Sequence, residues 1–571
     1  MNWKVKPKIP SKTRKNLSDF DDISAQLAYN RNIESSQELE NFLNPQLDSL
    51  YDSGVLNDID KAVTLILKKV SSKEKIYIYG DYDVDGICST SIMFDFLFRH
   101  LGANVLPYIP SRFDEGYGIN PAAIKKLQDE GAGLIISVDC GIRDGKILSE
   151  VLTSDTDLII TDHHQIPENE KDMELLRKTA KAVVHPLLND YPFKDICATT
   201  VVWHLVRAIA LEAEKQKLLK NDFDPIKYLD LVALATVCDV MPLVNQNRII
   251  VSEGLKQMRI TENLGLKELL IVSGILSEEI GAFHLGYVLG PRLNASGRLE
   301  TALDGVRLLT SNNAENVTQL AKKLSELNSK RQEMTKELMF ESEKLLESWG
   351  ADKKLIIITG QEWPEGLVGL VAGRLCEKYH RPVIVLSLKD GIAVGSCRST
   401  PSFHITKAIS READKLERFG GHAQAAGLTI KEENIKEFAD NILKYASEEI
   451  LDEDLEKTLS IDLELQEDLI NKDTLGKINR FGPFGFGNKE PIFSINSVKV
   501  VNTKRVGNGG DHLKLTFRKG VTTIDAIGFK IGEKFAKIKS GDIINIAGYL
   551  DLNKFMGVEN LQVKIVDIQN E

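Results

Sequence analysis

The stretch KIYIYGDYDVDG, residues 75–86, places an apolar run rich in β-branched and aromatic residues directly before three alternating aspartates and a glycine. Such a run predicts a buried strand over 75–81, and the glycine predicts a turn after it. Asp81, Asp83 and Asp85 would then converge where the strand ends and a loop begins. Crowded carboxylates repel one another unless a cation lies between them. This stretch therefore predicts a divalent-metal site at a strand end.

The alternation of strand and helix continues along the chain. Further apolar runs predict strands over 105–110, 134–140, 157–162 and 182–185, with helices over 89–100 and 121–130. Strands that alternate with helices are typical of βαβ units in a mainly parallel, doubly wound α/β sheet. Ligands of such sheets bind beyond the carboxyl ends of the strands, which is where the aspartates lie.

More acidic residues and histidines follow other predicted elements. Asp139 ends an apolar strand in SVDCG, Asp162, His163 and His164 end another, and Asp239 follows the apolar helix 231–238. Oxygen ligands with one or two imidazoles favour Mn²⁺ or Mg²⁺ over structural zinc. Two such ions, roughly 3.5–4 Å apart, can lower the pKa of a bridging water and clamp the attacking and leaving oxygens of a phosphodiester.

Each of these motifs alone has a plain structural interpretation. Asp-x-Asp-x-Asp is more often an Asp-rich turn or a calcium loop, and Asp-His-His often caps a helix. Their joint occurrence at successive strand ends favours a metal centre for phosphodiester hydrolysis.

Glycine-rich segments could supply the phosphate-binding half of such a site. GPRLNASGR at 290–298, GSCRS at 395–399 and GGHAQAAG at 420–427 combine close backbone approach with donors for anionic oxygens. Arg112, in PSRFDEGYG, is a fourth candidate. Any one of these segments alone is more often a plain turn, and Arg112 alone a surface ion pair. Their occurrence beside a metal cluster favours phosphate binding, because arginine can hold phosphate with two parallel hydrogen bonds.

The region after the first unit predicts a long helix and a second α/β unit. Residues 311–349 contain neither Gly nor Pro, and leucines recur at helical spacing, so one helix either bridges two domains or belongs to the first core. A second α/β pattern follows over 354–360, 366–379, 382–388 and 393–398. The Glu-rich stretch 431–467 is expected to separate this unit from the last region.

The last region predicts a small barrel. Alternating runs over 494–500, 512–517, 522–529, 542–550 and 561–566 look like five strands, for which an OB-fold is the leading candidate. The predicted division is a catalytic domain with an N-terminal extension over 1–310, a connecting helix over 311–349, a substrate-binding domain over 350–455 and the barrel over 456–571.

Composition limits the function classes. The chain has 571 residues and a net charge of −11, which argues against adhesion to nucleic acid over its whole surface but allows a local basic channel. The longest strongly apolar segment, 228–244, is shorter than a membrane span and contains Asp230 and Asp239. The basic N-terminus lacks a secretory signal, so a cytoplasmic location is expected. The six cysteines are scattered along the chain and are expected to be reduced thiols.

The chain also carries a specific series of motifs, in the order DYDVDG, SVDCGI, TDHHQ, LVALATVCDVMPL, GPRLNASGRL, GSCRS, GGHAQAAG and FGPFGFGN. This series resembles the DHH phosphoesterase superfamily, and within it the bacterial single-strand-specific 5′-to-3′ DNA exonucleases, from about residue 3 to the C-terminus. The resemblance implies a DHH catalytic domain, a DHH-associated domain and an OB-fold. It also implies an enzyme that degrades single-stranded DNA to 5′-mononucleotides in recombination and repair.

The resemblance assigns roles residue by residue. Two Mn²⁺ or Mg²⁺ ions would be held by Asp81, Asp83, Asp85, Asp139, His163, His164 and Asp239. Asp83, Asp85 and His164 would be catalytic, and His164 would also face the scissile phosphate. Nucleic acid would be bound by Arg112, Arg292, Asn294, Arg298, Arg398, Ser399, Gly421 and His422. A single-strand-binding protein and a helicase are implied as partners by the family alone, and nothing demands more than a monomer.

The sequence departs from the family pattern at three places, and two alternative functions are considered. Pro364 stands where relatives carry His, His185 where Asn is usual, and residues 198–200 replace a Gly-containing segment. One alternative is a phosphodiesterase for cyclic dinucleotides or nanoRNA, which would leave the barrel unexplained. The other is a DNA-binding scaffold without metals, against which the intact acidic residues argue.

Overall fold

Four sheets lie within the residues that this computed structural model describes, which are 1–111, 118–347, 353–555 and 557–570. The N-terminal segment contributes one strand and three helices: β1 (Asn2–Val5), α1 (Ser11–Asn16), α2 (Asp22–Tyr29) and α3 (Ser36–Leu43). Two of these helices begin at side chains that accept backbone N–H groups. Asp21 caps α2, and Ser35 with Glu38 forms a capping box at α3.

The first sheet is parallel and has helices on both faces. Its elements are α4 (Ile59–Ser71), β2 (Lys75–Gly80), α5 (Val84–Asp95), β3 (Val105–Tyr108), α6 (Pro121–Asp129), β4 (Ala132–Val138), α7 (Gly145–Val151), β5 (Asp157–Thr161), α8 (Glu170–Thr179) and β6 (Ala182–Val184). The strand order is β3-β2-β4-β5-β6. Ile76 and Ile78 enter one core, and Tyr77 and Tyr79 enter the core on the opposite face. The predicted doubly wound sheet is confirmed.

A helical layer completes the first domain. It consists of α9 (Ala198–Lys215), α10 (Leu229–Cys238), α11 (Asn245–Arg259), α12 (Leu264–Val272), α13 (Ala282–His284), α14 (Gly290–Leu299) and α15 (Leu303–Thr310). The apolar helix α10 is buried in the same core as Ile76, as predicted. Among the described helices, none has both the length and the apolar character needed to span a bilayer.

One long helix, α16 (Ala314–Glu347), links the first domain to the second. Val317, Ala321 and Leu324 belong to the core of the first domain, whereas Leu338 packs with Leu367 in the core of the second. The predicted connecting helix is therefore confirmed. The alternative, in which this segment is a core helix of the first domain, holds for the N-terminal half of α16.

The second domain is an α/β unit with a mixed sheet. Its elements are β7 (Ile356–Gln361), α17 (Glu365–Tyr379), β8 (Val383–Lys389), β9 (Ile392–Arg398), α18 (Ile405–Ser410), β10 (Leu416–Gly421), β11 (Ala425–Lys431) and α19 (Glu432–Glu449). Helix α19 lies in the Glu-rich stretch, yet Phe438, Ile442 and Ala446 on its apolar face belong to the domain core. Helix α19 therefore belongs to the second domain and does not separate that domain from the last region.

The last region is the predicted closed barrel. It contains β12 (Thr458–Ile461), β13 (Leu463–Glu464), α20 (Lys472–Asn479), β14 (Phe493–Val506), β15 (His512–Lys519), β16 (Thr522–Gly528), β17 (Ile543–Phe555) and β18 (Val558–Asn570). Strands pair in the order β14-β15-β16-β18-β17, and β17 pairs again with β14. All five predicted barrel strands are present.

The N-terminal segment packs with the barrel, which corrects its predicted grouping with the catalytic domain. Leu27 and Leu39 share a core with Phe481 and Phe493, and β1 pairs in parallel with β12. The apolar faces of α2 and α3 require burial, but helical periodicity does not specify which domain provides it.

Candidate metal centre

The loop after β2 is shaped by one glycine and one helix cap. The Asp83 carboxylate accepts from the backbone N–H groups of Asp85 at 2.9 Å and Gly86 at 3.1 Å, and so begins α5. A Cβ atom on Gly86 would lie 2.3 Å from the carbonyl oxygen of Asp81, so only glycine allows this close turn. The turn brings Asp81 and Asp83 to the carboxyl edge of the sheet.

Four separate segments meet at the imidazole of His163. Its Nε2 atom lies 3.4 Å from Asp139 Oδ1, 3.4 Å from Asp239 Oδ2 and 3.7 Å from Asp85 Oδ2. These carboxylates follow β4, α10 and β2 respectively. We call the seven residues Asp81, Asp83, Asp85, Asp139, His163, His164 and Asp239 the acidic cluster.

The side chains of the acidic cluster are placed so that they could hold metal ions. Three groups have ligand atoms that all lie within 4.8 Å of one another: Asp139–His163–His164, Asp85–His163–Asp239 and Asp81–Asp83–Asp139. Within the described residues, the buried atoms of the cluster without a hydrogen-bond partner include Asp139 Oδ1, His163 Nε2 and Asp239 Oδ2. Buried polar atoms are normally paired, so these atoms indicate that the cluster binds a ligand.

Electrostatics supports the same conclusion. Burial and the negative charges of Asp85 and Asp83 raise the pKa of both Asp139 and Asp239 well above the ordinary range of a carboxyl group. Bound divalent cations would offset this repulsion and let the carboxylates ionise. Oxygen-rich ligands with two imidazoles suit Mn²⁺ or Mg²⁺. The residues therefore fit the expected ions.

Asp162 orients the second histidine. Its Oδ1 atom lies 2.8 Å from His164 Nδ1 and accepts from the backbone N–H groups of His163 and His164, while Oδ2 accepts from Ile142 N. Burial acts to raise the pKa of Asp162, but the hydrogen bond and charge of His164 lower it below its ordinary range. Conversely, burial acts to lower the pKa of His164, but the hydrogen bond to Asp162 and nearby carboxylates raise it to about 9.

Asp85 differs from the rest of the cluster. Its Oδ2 accepts from Ala198 N at 2.7 Å, and its Oδ1 accepts from Thr199 N at 2.8 Å and from Thr199 Oγ1 at 2.5 Å. These groups form the N-terminus of α9, which favours a negative charge. Asp85 thus anchors that helix as well as contacting His163.

Two predicted phosphate-binding residues join the cluster to its surroundings. Asn294 Oδ1 accepts from Val84 N at 3.1 Å, which places this side chain beside Asp83. Arg298 donates to the carbonyl of Gly366 at 2.9 Å, so it lies where the first domain meets the second. Arg112 lies outside the described residues.

His422 lies on a hairpin of the second domain. It follows β10 and Gly421, and its backbone N–H donates to the carbonyl of Ala425 at 2.7 Å. Partial burial together with the positive charges of Arg143 and His164 lowers the pKa of His422. Sequence reasoning missed Arg143, although it follows Asp139 in the same loop.

The remaining predicted residues are held by internal contacts. Arg398 donates to the carbonyl of Cys397 at 2.8 Å, and Ser399 Oγ donates to the carbonyl of Phe403 at 2.6 Å. Arg292 donates to the carbonyl of Val288 and lies 3.4 Å from Ser325 on α16. The structure therefore places the Arg292 guanidinium against the long helix.

His185 is another residue whose role the motif search missed. Its Nδ1 accepts from Leu187 N at 3.1 Å, so Nε2 carries the proton and donates to the carbonyl of His164 at 2.9 Å. Burial lowers the pKa of His185 to about 4, which keeps the ring neutral. Its position directly after β6 was the available signal, because that strand end lies beside the one that carries His164.

Family models match three regions of the chain. They are the DHH family N-terminal domain over 75–236, the DHHA1 domain over 352–448 and the RecJ OB domain over 461–567. Single-stranded-DNA-specific exonuclease RecJ of Bacillus subtilis (strain 168) is 33% identical over 577 residues, which cover 99% of this chain and 70% of that protein. The protein of the same name from Haemophilus influenzae is 31% identical and covers 94% of each chain.

A solved structure gives the same result at the level of the fold. RecJ from Thermus thermophilus in complex with Mn²⁺ has a TM-score of 0.83 and 27% sequence identity, and the match covers 100% of this chain and 80% of that one. The same protein has also been solved with Mg²⁺, with a TM-score of 0.78. From these sequence and structural matches together, we conclude that the chain belongs to the RecJ family.

Proposed function

We propose that this chain is a metal-dependent exonuclease that degrades single-stranded DNA in the 5′-to-3′ direction to 5′-mononucleotides, in recombination and repair. The observation that carries the proposal is the acidic cluster, in which buried atoms of Asp139, His163 and Asp239 lack hydrogen-bond partners within the described residues. Relatives of 31–33% identity that carry the name single-stranded-DNA-specific exonuclease support the choice of substrate.

We assign the metal ligands to Asp81, Asp83, Asp85, Asp139, His163, His164 and Asp239. When bound, Mn²⁺ or Mg²⁺ supplies a Lewis acid and a more acidic water for attack on the phosphodiester. The protein holds its own groups ready for this chemistry. Asp162 fixes the ring of His164, and Thr199 and α9 fix Asp85.

Cationic and hydrogen-bonding groups of the two domains would bind the DNA backbone. Arg298 lies at the domain junction, and burial with the positive charges of Arg143 and His164 lowers the pKa of His422. Together with Asn294, Arg398, Ser399, Gly421, Arg292 and Arg112, these groups form the proposed nucleic-acid site. Positive side chains facing an anionic metal centre would position a phosphate between them.

An exposed aromatic pair extends this proposed path. Phe283 and Tyr287 are 63% and 75% exposed, and their rings stack with centroids 5.1 Å apart. The helical run that carries them continues to Gly290, which abuts Cys238 beside Asp239. Exposed rings of this kind suit base stacking without sequence preference.

The direct test uses purified protein, Mn²⁺ and a single-stranded oligonucleotide labelled at its 3′ end. We expect a ladder of products shortened from the 5′ end, no products with a chelator and little degradation of a blunt duplex. No shortening, or attack only from the 3′ end, would contradict the proposal. Competition by an unlabelled dinucleotide that exceeds competition by a long oligonucleotide would favour the small-substrate phosphodiesterase.

The aromatic pair has its own test in DNA affinity. Replacing both Phe283 and Tyr287 by Ala should weaken binding of single-stranded DNA at least about tenfold, since loss of even one stacked base costs about 1–3 kcal/mol. The control is Phe98→Ala, which disrupts another stacked pair, with Phe94, at the far end of the helical run that begins with α5. Equal affinities of the two variants would exclude the stacking role.

The cellular setting is a further part of the proposal. A substrate of single-stranded DNA is consistent with a cytoplasmic monomer that works beside a single-strand-binding protein and a helicase. Size-exclusion chromatography with light scattering tests the monomer, and co-purification from cells with tagged protein tests the partners.

A further inference from the structure

The backbone turn that carries Asp239 is strained. Helix α10 ends at Asp239, and its last turn is closed by Val240 N bonding to Val237 O and Met241 N bonding to Thr236 O. This is a helix C-terminus with a left-handed residue, a position that glycine normally occupies. Here the residue is Val240, with φ of 57°, which is unfavourable for a β-branched side chain. Such a turn persists only where its surroundings hold it.

A loop from the barrel region contacts the residues that follow this turn. We call residues 481–488 the barrel loop; it is the FGPFGFGN motif. Leu243 N donates to the carbonyl of Phe486 at 2.7 Å. A Cβ atom on Gly487 would lie 2.7 Å from Pro242 Cβ, and a Cβ atom on Gly485 would lie 2.7 Å from Leu243 Cδ1. The backbone of the barrel loop therefore lies directly on the segment that leads away from Asp239.

Arg248 ties the start of the barrel loop to the catalytic domain. Its guanidinium donates to the carbonyls of Arg480, Phe481 and Gly482, and to the carbonyl of Phe42 in the N-terminal segment. It also lies 3.8 Å from the ring centroid of Phe42. Arg248 is on α11, which begins just after the contact at Leu243. One side chain thus joins three parts of the chain beside the metal centre.

We propose that the barrel loop, held by Arg248, is a positioning element of the metal centre that sets the backbone of Asp239. The barrel then contributes to metal binding as well as to DNA binding. This inference rests on the proposed function in one respect, which is the role of Asp239 as a metal ligand. Arg248, Gly485 and Gly487 are positioning residues. The two glycines contact Pro242 and Leu243, which follow Asp239, and Arg248 holds the start of the barrel loop.

A matched pair of glycine variants tests the inference. Gly487→Ala adds a methyl group that collides with Pro242, at φ of 73°. Gly541→Ala places the same methyl group in the barrel at φ of 97°, where nothing lies within 4 Å. Both variants carry backbone strain, so they share any loss of barrel stability. Only the first presses on the segment that follows Asp239.

The readout is Mn²⁺ binding to the full chain without DNA, by calorimetry and by the electron paramagnetic resonance spectrum of the bound ions. Residues that support metal ligands typically change affinity about 10–100-fold. We expect Gly487→Ala to bind at least one Mn²⁺ about tenfold more weakly with an altered spectrum, and Gly541→Ala to match the wild type. Equal Mn²⁺ affinities of the two variants would overturn the inference.

Two further results separate this inference from the proposed function. If the wild-type chain binds no Mn²⁺, the proposed metal centre fails, and the positioning role fails with it. If the wild type binds Mn²⁺ but Arg248→Lys, which keeps a charge but cannot reach all four carbonyls, binds it equally well, only the positioning role fails. Circular dichroism at the temperature of the titration establishes that each variant is folded. Should Gly487→Ala not fold, Arg248→Lys decides the question.

Discussion

Asp139 of the acidic cluster and Arg248 beside the barrel loop are buried to the same degree, but their charged groups differ in whether they have hydrogen-bond partners. Asp139 and Arg248 are each 2% exposed. Asp139 Oδ1 has no hydrogen-bond partner in the described residues, whereas the Arg248 guanidinium donates to four carbonyls. Burial of a charge without partners is costly, so a satisfied group serves the fold and an unsatisfied cluster indicates a ligand.

The pKa shifts of Arg248 and of the cluster carboxyl groups show the same contrast. Burial, with the positive charge of Arg31, lowers the pKa of Arg248 to about 9, which still leaves the guanidinium charged at neutral pH. In the cluster, burial and neighbouring carboxylates raise the pKa of Asp139 and Asp239, so these groups resist ionisation until a cation arrives. Four predictions test this contrast.

The largest expected effect is on catalysis, from removing one carboxylate of the cluster. Asp83→Ala should reduce the exonuclease rate at least about a thousandfold, because loss of metal-held geometry removes transition-state stabilisation. DNA affinity, measured by fluorescence anisotropy, should be retained, since a negative charge is lost. Asp83→Asn, which keeps an acceptor for the cap of α5, should be equally inactive, and the exposed Asp129→Ala should be active. A normal rate in either Asp83 variant would refute the site assignment.

Removing the satisfied cation should instead affect stability. Arg248→Met would remove four hydrogen bonds to buried or part-buried carbonyls, of which that of Phe481 keeps Asn488 Nδ2 as a donor. We therefore expect the free energy of unfolding to fall by about 3–4 kcal/mol in urea titrations. The control is Arg307→Met: this side chain is 59% exposed and its partner Asp304 keeps an ion pair with Lys323, so the loss should be less than about 1 kcal/mol. Similar losses of unfolding free energy in the two variants would show that the Arg248 hydrogen bonds contribute no more than the Arg307–Asp304 ion pair.

Binding of Mn²⁺ to the acidic cluster should raise the free energy of unfolding. Mn²⁺ at a hundredfold excess over its dissociation constant should stabilise the wild type by about 2.7 kcal/mol, seen as a rise in melting temperature. Asp139→Asn should be at least as stable as the wild type without metal, since it removes a carboxyl group whose ionisation the fold opposes, but should gain much less from Mn²⁺. An equal gain in both proteins would place the ion elsewhere.

The smallest effect concerns a buried carboxyl that is only partly satisfied. Burial raises the pKa of Asp230 to about 6 in the folded chain, although Thr261 donates to it. A raised acid pKa means that stability falls as pH rises from about 4 through about 6, because folding then opposes ionisation. Between pH 5 and pH 8, the wild type should lose about 1–2 kcal/mol more than Asp230→Asn in urea titrations with chelator present. Parallel pH profiles would show that Asp230 titrates normally.

Much of the fold follows from local pattern. Each predicted strand of the first sheet was found within a few residues of its predicted bounds, because a fully buried strand must be a short continuous apolar run. The helix over 314–347 followed from the absence of Gly and Pro and from its leucine spacing. The N-terminal extension was assigned to the wrong neighbour, because an apolar helix face does not reveal its partner.

Part of the candidate site could likewise be predicted from the sequence, and part could not. Strand-end aspartates and histidines are visible in the sequence because residue type and strand position together predict ligands at one sheet edge. Hidden from the sequence were the hydrogen bonds that orient them, from Asp162 to His164 and from Asp85 to Thr199. These pairs depend on how loops close, and loops carry no periodicity.

By itself, the sequence determined the type of each element, the set of candidate ligands and the kind of ion they prefer, because these depend on side-chain chemistry and local spacing. Only the tertiary structure decided that His163 contacts carboxylates from three other segments and that the barrel loop packs on the segment that follows Asp239. Contacts between segments far apart in the chain arise from the packing of whole domains, which no local pattern encodes.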